Sequence, residues 1–142
     1  MSGRAFLDTN VLVYAIDEAE PEKRETARAS LGSTAQEEFV LSAQVLGEFY
    51  TVVTRKLAQP IAQAVATAIV DQLSLLPIVP IDATLVKAAI QISRSSQLSY
   101  WDGLIVVCAA AGKCERLLSE DLNDGQLIGS VRIENPFGEP AS

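Results

Sequence analysis

The chain has 142 residues, 49% of them apolar, with two cysteines, no histidine and a net charge of −7. That length fits one domain able to bury about two-thirds of its unfolded surface. Without histidine there is no Ser-His-Asp triad, Cys-His pair or imidazole acid–base couple; two cysteines cannot build a four-ligand zinc site, and the acid excess opposes broad nonspecific nucleic-acid binding.

The first predicted element is a strand, Ala5-Phe6-Leu7. It is short and apolar enough for a parallel sheet covered on both faces. Asp8 stands at its carboxyl end, where open α/β sheets bind ligands. Thr9 or Asn10 can cap the helix formed by the apolar run Val11-Leu12-Val13-Tyr14-Ala15-Ile16. Asp8 equally suits a surface helix cap, and both roles stay open. Residues 17–20 form an acidic loop. Pro21 suits the first position of the next helix and Gly32 the position just past its end. Lys23, Arg24 and Arg28 among the acids of that helix mark a solvated outer layer. Phe39-Val40-Leu41 is a strand, and Ser42 caps the next helix.

That helix, over 43–57, places Val45, Leu46, Phe49, Val52, Val53 and Leu57 on one stripe. Glu48 lies at its margin, between Val45 and Val52. An acid there either looks into a cleft from the edge of the core or packs its stem and sends its head to water. Pro60 opens a helix to about 76, and 77–81 reads as an edge strand because proline lacks a ladder donor. Asp82 caps a helix that carries Leu85, Val86, Ala89, Ile90 and Ile92.

Ser99-x-x-Asp102 resembles a capping box, with Asp in place of Glu or Gln. It leads into the apolar run 104–111, stopped at Gly112. A helix apolar nearly all round belongs in the middle of the domain. Asp102, in its first turn, is favoured by the helix dipole and needs a partner that a cation can supply. Leu117-Leu118 is a strand ending in Ser119-Glu120-Asp121, which repeats the opening pattern of strand, then acid. Asp121 is preferred over Glu120 as the site acid, and Asn123-Asp124-Gly125 assigns Asp124 to a turn. Residues 131–133 form a last short edge strand. Strands alternating with helices indicate an α/β/α sandwich around a mainly parallel sheet.

The longest apolar run is too short to cross a bilayer. Asp8 interrupts the stretch a signal peptide would need, so a cytoplasmic location is expected, with Cys108 and Cys114 as reduced thiols. The apolar surplus implies burial against another subunit or partner. Hydrolytic chemistry in this chain must rest on carboxylates and on a cation they hold. Pooled carboxylates repel and raise one another's pKa, and a hard divalent cation with oxygen ligands relieves the repulsion.

Four segments together carry a family resemblance. Phe6-Leu7-Asp8-Thr9-Asn10-Val11-Leu12-Val13-Tyr14 is similar to the opening motif of PIN-domain ribonucleases. Ser42-Ala43-Gln44-Val45-Leu46-Gly47-Glu48-Phe49-Tyr50 resembles the segment with that family's second acid. Leu98-Ser99-Tyr100-Trp101-Asp102 resembles the third, and Leu117-Leu118-Ser119-Glu120-Asp121-Leu122 with Gly125-Gln126 the fourth. The compact size most resembles VapC-type toxins of toxin–antitoxin pairs.

The resemblance implies a PIN-like nuclease domain over 1–135, Mg²⁺ or Mn²⁺ as cofactor and RNA as substrate; the tail over 136–142 is expected to be loosely held, as chain ends often are. The resemblance also implies a homodimer and a cognate antitoxin that occludes the site. Asp8, Glu48, Asp102 and Asp121 become the catalytic and metal-binding acids, with Asp8 and Asp102 as direct ligands. Thr9, Asn10 and Ser119 become supporting hydrogen-bonding groups, while Glu120 and Asp124 compete for the fourth acid. Arg24, Arg28, Arg55, Lys56 and Arg94 are candidates for phosphate contacts. Two other readings of the residues stand beside this one: an aspartyl-phosphate enzyme with Asp8 as nucleophile, and a non-catalytic interaction module with an acidic metal-binding pocket.

Overall fold

The computed structural model describes residues 3–32 and 37–138. The chain runs β1 (Arg4–Leu7), α1 (Thr9–Tyr14), α2 (Pro21–Gly32), β2 (Glu38–Ser42), α3 (Ala43–Arg55) and α4 (Gln63–Leu73). It continues through β3 (Ile78–Val79), α5 (Ala83–Ser95), α6 (Tyr100–Ala111), β4 (Arg116–Leu118), β5 (Leu127–Ile128) and β6 (Val131–Glu134). The strands form one six-stranded sheet in the order β3-β2-β1-β4-β6-β5. Every pairing is parallel except that of β5 with β6. The α/β/α expectation holds.

Chain direction decides the layers. From β1 the sheet grows through β2 to β3, and the chain then crosses back to place β4 on the other side of β1. Right-handed crossovers put α1 to α4 on one face and α5 and α6 on the other. In agreement, α3 packs on α1 and α4, while α5 packs on α6, which lies across β2, β4 and β6. The core lies between these layers, with Phe6, Leu7, Leu41, Phe49, Leu117 and Ile133 fully enclosed.

Two packing details position the later site. Gly103, near the start of α6, faces α5 so closely that an added Cβ would lie 2.8 Å from the Ala89 carbonyl oxygen. Gly112 ends the helix where a Cβ would meet Val40 at 2.9 Å. Both cysteines are free and buried. Burial pushes the Cys108 thiol up to about 11 and the Cys114 thiol up to about 12.

Several predicted boundaries change. Asp8, rather than Thr9 or Asn10, is the N-cap of α1, and Gly32 is the last residue of α2 instead of the first beyond it. The helix expected from Pro60 begins at Gln63: Ala62 before it is extended, and the Ile61 N–H donates to the Val53 carbonyl at 2.9 Å. The strand 131–133 is not an edge. It lies between β4 and the unpredicted β5, reached through a two-residue turn with Gly129 at φ +60°. Asp82, Ser42 and Ser99 cap their helices as expected.

Of the expected loose tail, 139–142 lies outside the described residues. Within the described part of that tail, the Phe137 ring meets Tyr14 edge-on at 4.9 Å.

Candidate active site

Strand order makes β1 the point from which the chain leaves in both directions, and crevices at the carboxyl ends of strands beside such a point are ligand sites in α/β folds. The chain has a cleft of about 380 Å³ there. Asp8, Glu48, Asp102 and Asp121 all line it. Each arrives on a different segment: Asp8 after β1, Asp121 after β4, Glu48 on α3 from one helical layer and Asp102 in the first turn of α6 from the other. Val13, Val52, Leu57, Trp101 and Ile105 complete an apolar wall.

Asp8 is 6% exposed and doubly engaged. One oxygen accepts from the Thr9 N–H at 2.7 Å; the other accepts from Ser119 Oγ at 2.7 Å and from Asn10 Nδ2 at 3.5 Å. Cap and cleft acid are therefore one residue, since the sharp strand-to-helix turn aims one oxygen at the helix and leaves the other facing β4. Burial raises its pKa to about 6 against the hydrogen bonds from Ser119 and Thr9, with the nearby charges of Asp121 and Glu48 adding to the rise. Asp102 is also pushed up, by burial first and by Asp121, against a hydrogen bond involving Ser99.

The supporting groups tie the acids together. Asn10 Nδ2 donates to Asp121 Oδ2 at 3.2 Å, and Asn10 Oδ1 accepts from the Glu120 N–H at 3.2 Å. Ser119 Oγ accepts from the Asp121 N–H at 3.1 Å. Thr9 Oγ1 donates to Glu48 Oε1 at 3.2 Å, and Gln44 Nε2 donates to the same oxygen at 3.1 Å. Glu48 is thus exposed at the rim but oriented from two sides.

The three candidates for the fourth acid have different surroundings. Asp121 lines the cleft. Glu120 instead turns to Tyr14 Oη at 2.7 Å and Lys23 Nζ at 2.6 Å. Asp124 sits in a turn with Gly125 and accepts from the Asn135 N–H at 2.9 Å. Among the basic candidates, Arg28 donates to the Ala15 carbonyl at 2.7 Å, and Arg24 stands 4.0 Å from Glu18. Arg94 shares a separate depression with Lys87.

Two cleft residues escaped the sequence reading. Asp17 is buried, accepts from the Ala19 N–H at 3.0 Å and lines the cleft, although its segment reads as an acidic loop. Gln44 lies one helical turn before Glu48, and its Oε1 is buried without a hydrogen-bond partner in the protein. The i, i+4 spacing of Gln44 and Glu48 was the available signal.

The residues suit a hard cation. The charged and polar groups lining the cleft present oxygen donors, and a buried carboxyl of raised pKa is among them. Among the described residues no three acidic, cysteine or histidine side chains are close enough to ligate one ion together. Direct contacts from a pair of acids and water-mediated contacts from the rest meet that spacing, which is how Mg²⁺ is commonly held.

The PIN domain family profile matches residues 5–123. The chain belongs to the PIN domain family. A comparison with curated protein sequences gives no match. Solved structures share this PIN fold. The FitAB complex bound to a DNA fragment aligns with TM-score 0.68 at 24% identity, over 96% of this chain and 98% of that one. A toxin–antitoxin complex from Klebsiella pneumoniae aligns with TM-score 0.69 at 18% identity, over 93% and 97%. Mycobacterium tuberculosis VapC20, described as a sarcin-ricin loop cleaving toxin, aligns with TM-score 0.62 at 21% identity, over 80% and 86%. Among the described residues of this PIN domain, no helix is long and apolar enough to cross a membrane.

Proposed function

We propose that this PIN domain is a metal-dependent endoribonuclease and the toxin of a toxin–antitoxin pair. The reading is carried by one observation: four acids from four separate segments line a single cleft at the carboxyl ends of β1 and β4. Its structural neighbours, a sarcin-ricin loop cleaving toxin among them, support RNA as the substrate class.

Asp8 and Asp102 hold Mg²⁺ or Mn²⁺ directly in this reading, and Glu48 and Asp121 act through water or on a second ion. A bound divalent cation supplies Lewis-acid chemistry, acidifying water and neutralising charge on the phosphodiester. The chain's own residues do the rest. Ser119 and Thr9 fix both oxygens of Asp8, so it presents one orientation to the cleft. Asn10 Nδ2 donates to both Asp121 and Asp8, so one amide bridges two like charges that would otherwise repel. Thr9 and Gln44 aim Glu48 across the opening, where a carboxylate can take a proton from attacking water. The apolar wall, with Trp101 62% exposed, offers a surface for a nucleobase while the acid wall addresses the backbone.

A cognate antitoxin that occludes the cleft, a homodimer and a cytoplasmic setting belong to the same reading. The exposed side chains of Val65, Leu75 and Ile90 supply apolar surface for such partners.

The test is cleavage of RNA by purified protein with Mg²⁺ or Mn²⁺, with EDTA, and with Asp8→Asn. Metal-dependent cleavage lost in the variant is expected. Cleavage that persists in EDTA, or an Asp8→Asn protein that cuts at the wild-type rate, removes the proposal. A phosphoenzyme trapped on Asp8 would favour the phosphotransfer alternative instead.

A further inference from the structure

Glu120 borders the acid cleft but does not line it, and its surroundings explain why. Its carboxylate accepts from Tyr14 Oη at 2.7 Å and from Lys23 Nζ at 2.6 Å, and Lys23 also donates to Tyr14 Oη at 3.2 Å. The ammonium lies over the Tyr14 ring, 4.7 Å from its centroid, and 5.9 Å from the centroid of Phe137. Phe137 meets Tyr14 edge-on. Two segments thus hold the acid directly, the end of α1 and the first turn of α2, and the turn after β6 backs them through Phe137.

Such a cluster adds little to global stability. The Lys23 and Glu120 side chains are 38% and 25% exposed, and ion pairs of that exposure contribute little. Its effect is local. The backbone from Ser119 to Leu122 has no regular structure. Its hydrogen bonds include those of the Glu120 N–H to Asn10 and of the Asp121 N–H to Ser119. With Glu120 clamped on one side and Asn10 on the other, Asp121 has little freedom in where its carboxylate points.

We infer that Lys23, Tyr14 and Glu120 form a clamp that positions Asp121 in the acid cleft. Glu120 is the handle by which the loop is held, and Lys23 is a positioning residue that never touches the substrate or the ion. The inference rests on the metal-site reading above and adds an electrostatic partner that this reading does not need.

Mn²⁺ affinity of the purified full chain, measured by calorimetry, tests it in a double-mutant cycle of Lys23→Met and Asp121→Asn. Lys23→Met is expected to weaken Mn²⁺ binding by about tenfold, the lower end for loss of an outer-shell partner, with circular dichroism unchanged. In the Asp121→Asn background the same change should have no further effect, because the group it positions is already gone. Lys23→Arg should restore affinity, and amide exchange over 119–122 in metal-free protein should quicken in Lys23→Met alone. Equal losses in both backgrounds, or unchanged affinity in a folded Lys23→Met protein, overturn the clamp. If wild-type protein shows no Asp8-dependent Mn²⁺ binding, the metal-site reading falls and the clamp with it. Asp8-dependent binding that ignores Lys23→Met removes the clamp only.

Discussion

Asp8→Asn keeps the shape of a buried carboxyl and removes its charge, so it isolates what that charge costs the fold. The folded carboxyl keeps its proton to about pH 6, whereas the unfolded one releases it near 3.8. Between those values the folded state binds more protons, so stability falls as pH rises, and above about 6 the full penalty applies. The difference corresponds to about 3 kcal/mol. Asparagine keeps a single acceptor oxygen, so either the Thr9 N–H or the Ser119 hydroxyl loses its partner, at about 1–2 kcal/mol. Above pH 7 the variant should therefore be more stable than wild type by about 1–2 kcal/mol, a rise in Tm of about 3–6 °C for a domain of this size. At pH 4 the wild-type carboxyl is already neutral in the fold, and the variant should be the weaker protein by about 1 kcal/mol. Thermal melts in EDTA across pH 4–8 read both limits. Adding Mn²⁺ at about 100 times its Kd should restore wild-type protein by about 2.7 kcal/mol and leave the variant nearly unmoved. A variant destabilised equally at pH 4 and pH 8 would falsify the idea that Asp8 carries an uncompensated charge.

Asp102→Asn should abolish metal-dependent RNA cleavage, by at least about a hundredfold, with melting temperature unchanged or raised in EDTA. Residual cleavage near the wild-type rate would take Asp102 out of the mechanism. Ser119→Ala removes a buried donor to Asp8 and the acceptor of the Asp121 N–H. It should raise the Asp8 pKa further, visible by NMR titration, and reduce stability above pH 6 by about 1–3 kcal/mol; an unmoved Asp8 titration would refute the role of that hydrogen bond. Gly103→Ala gains about 1 kcal/mol of helix propensity but drives a Cβ to within 2.8 Å of the Ala89 carbonyl. Backbone yields poorly, so overpacking at about 1–3 kcal/mol should win, and a denaturant melt showing a net gain would contradict this. Cys108 and Cys114 should resist alkylation at pH 8 in folded protein and react only on unfolding, because burial holds both thiols neutral.

The site was more legible in the sequence than the sheet edge. Strand-then-acid, at Leu7-Asp8 and again at Leu118 to Asp121, announces side chains at the carboxyl end of adjacent parallel strands, and β1 and β4 do pair in register. Ser42, Asp82 and Ser99 were readable as caps because capping is local chemistry between a side chain and an amide three residues on. By contrast, β5 spans only Leu127–Ile128, too short for any periodicity to register, and only Gly129-Ser130 hinted at the hairpin. Pro60 did not start the helix: the chain stays extended to Ala62, and the Ile61 N–H bonds back to Val53, a tertiary contact that the local pattern does not show. Asp121 was preferred over Glu120 from the local pattern alone; what draws Glu120 aside was not legible there, since Lys23 and Tyr14 lie about a hundred positions away.

The bonds that gather the cleft acids span most of the chain: Ser119 reaches Asp8 and Asn10 reaches Asp121 across 111 positions. On the ribosome, Asp8 is made about a hundred residues before the segment 116–121, and until that segment docks one flank of β1 has no strand beside it. The cleft therefore cannot be assembled before residues 116–121 have been made, and the docking of β4 against β1 is the event that brings its acids together.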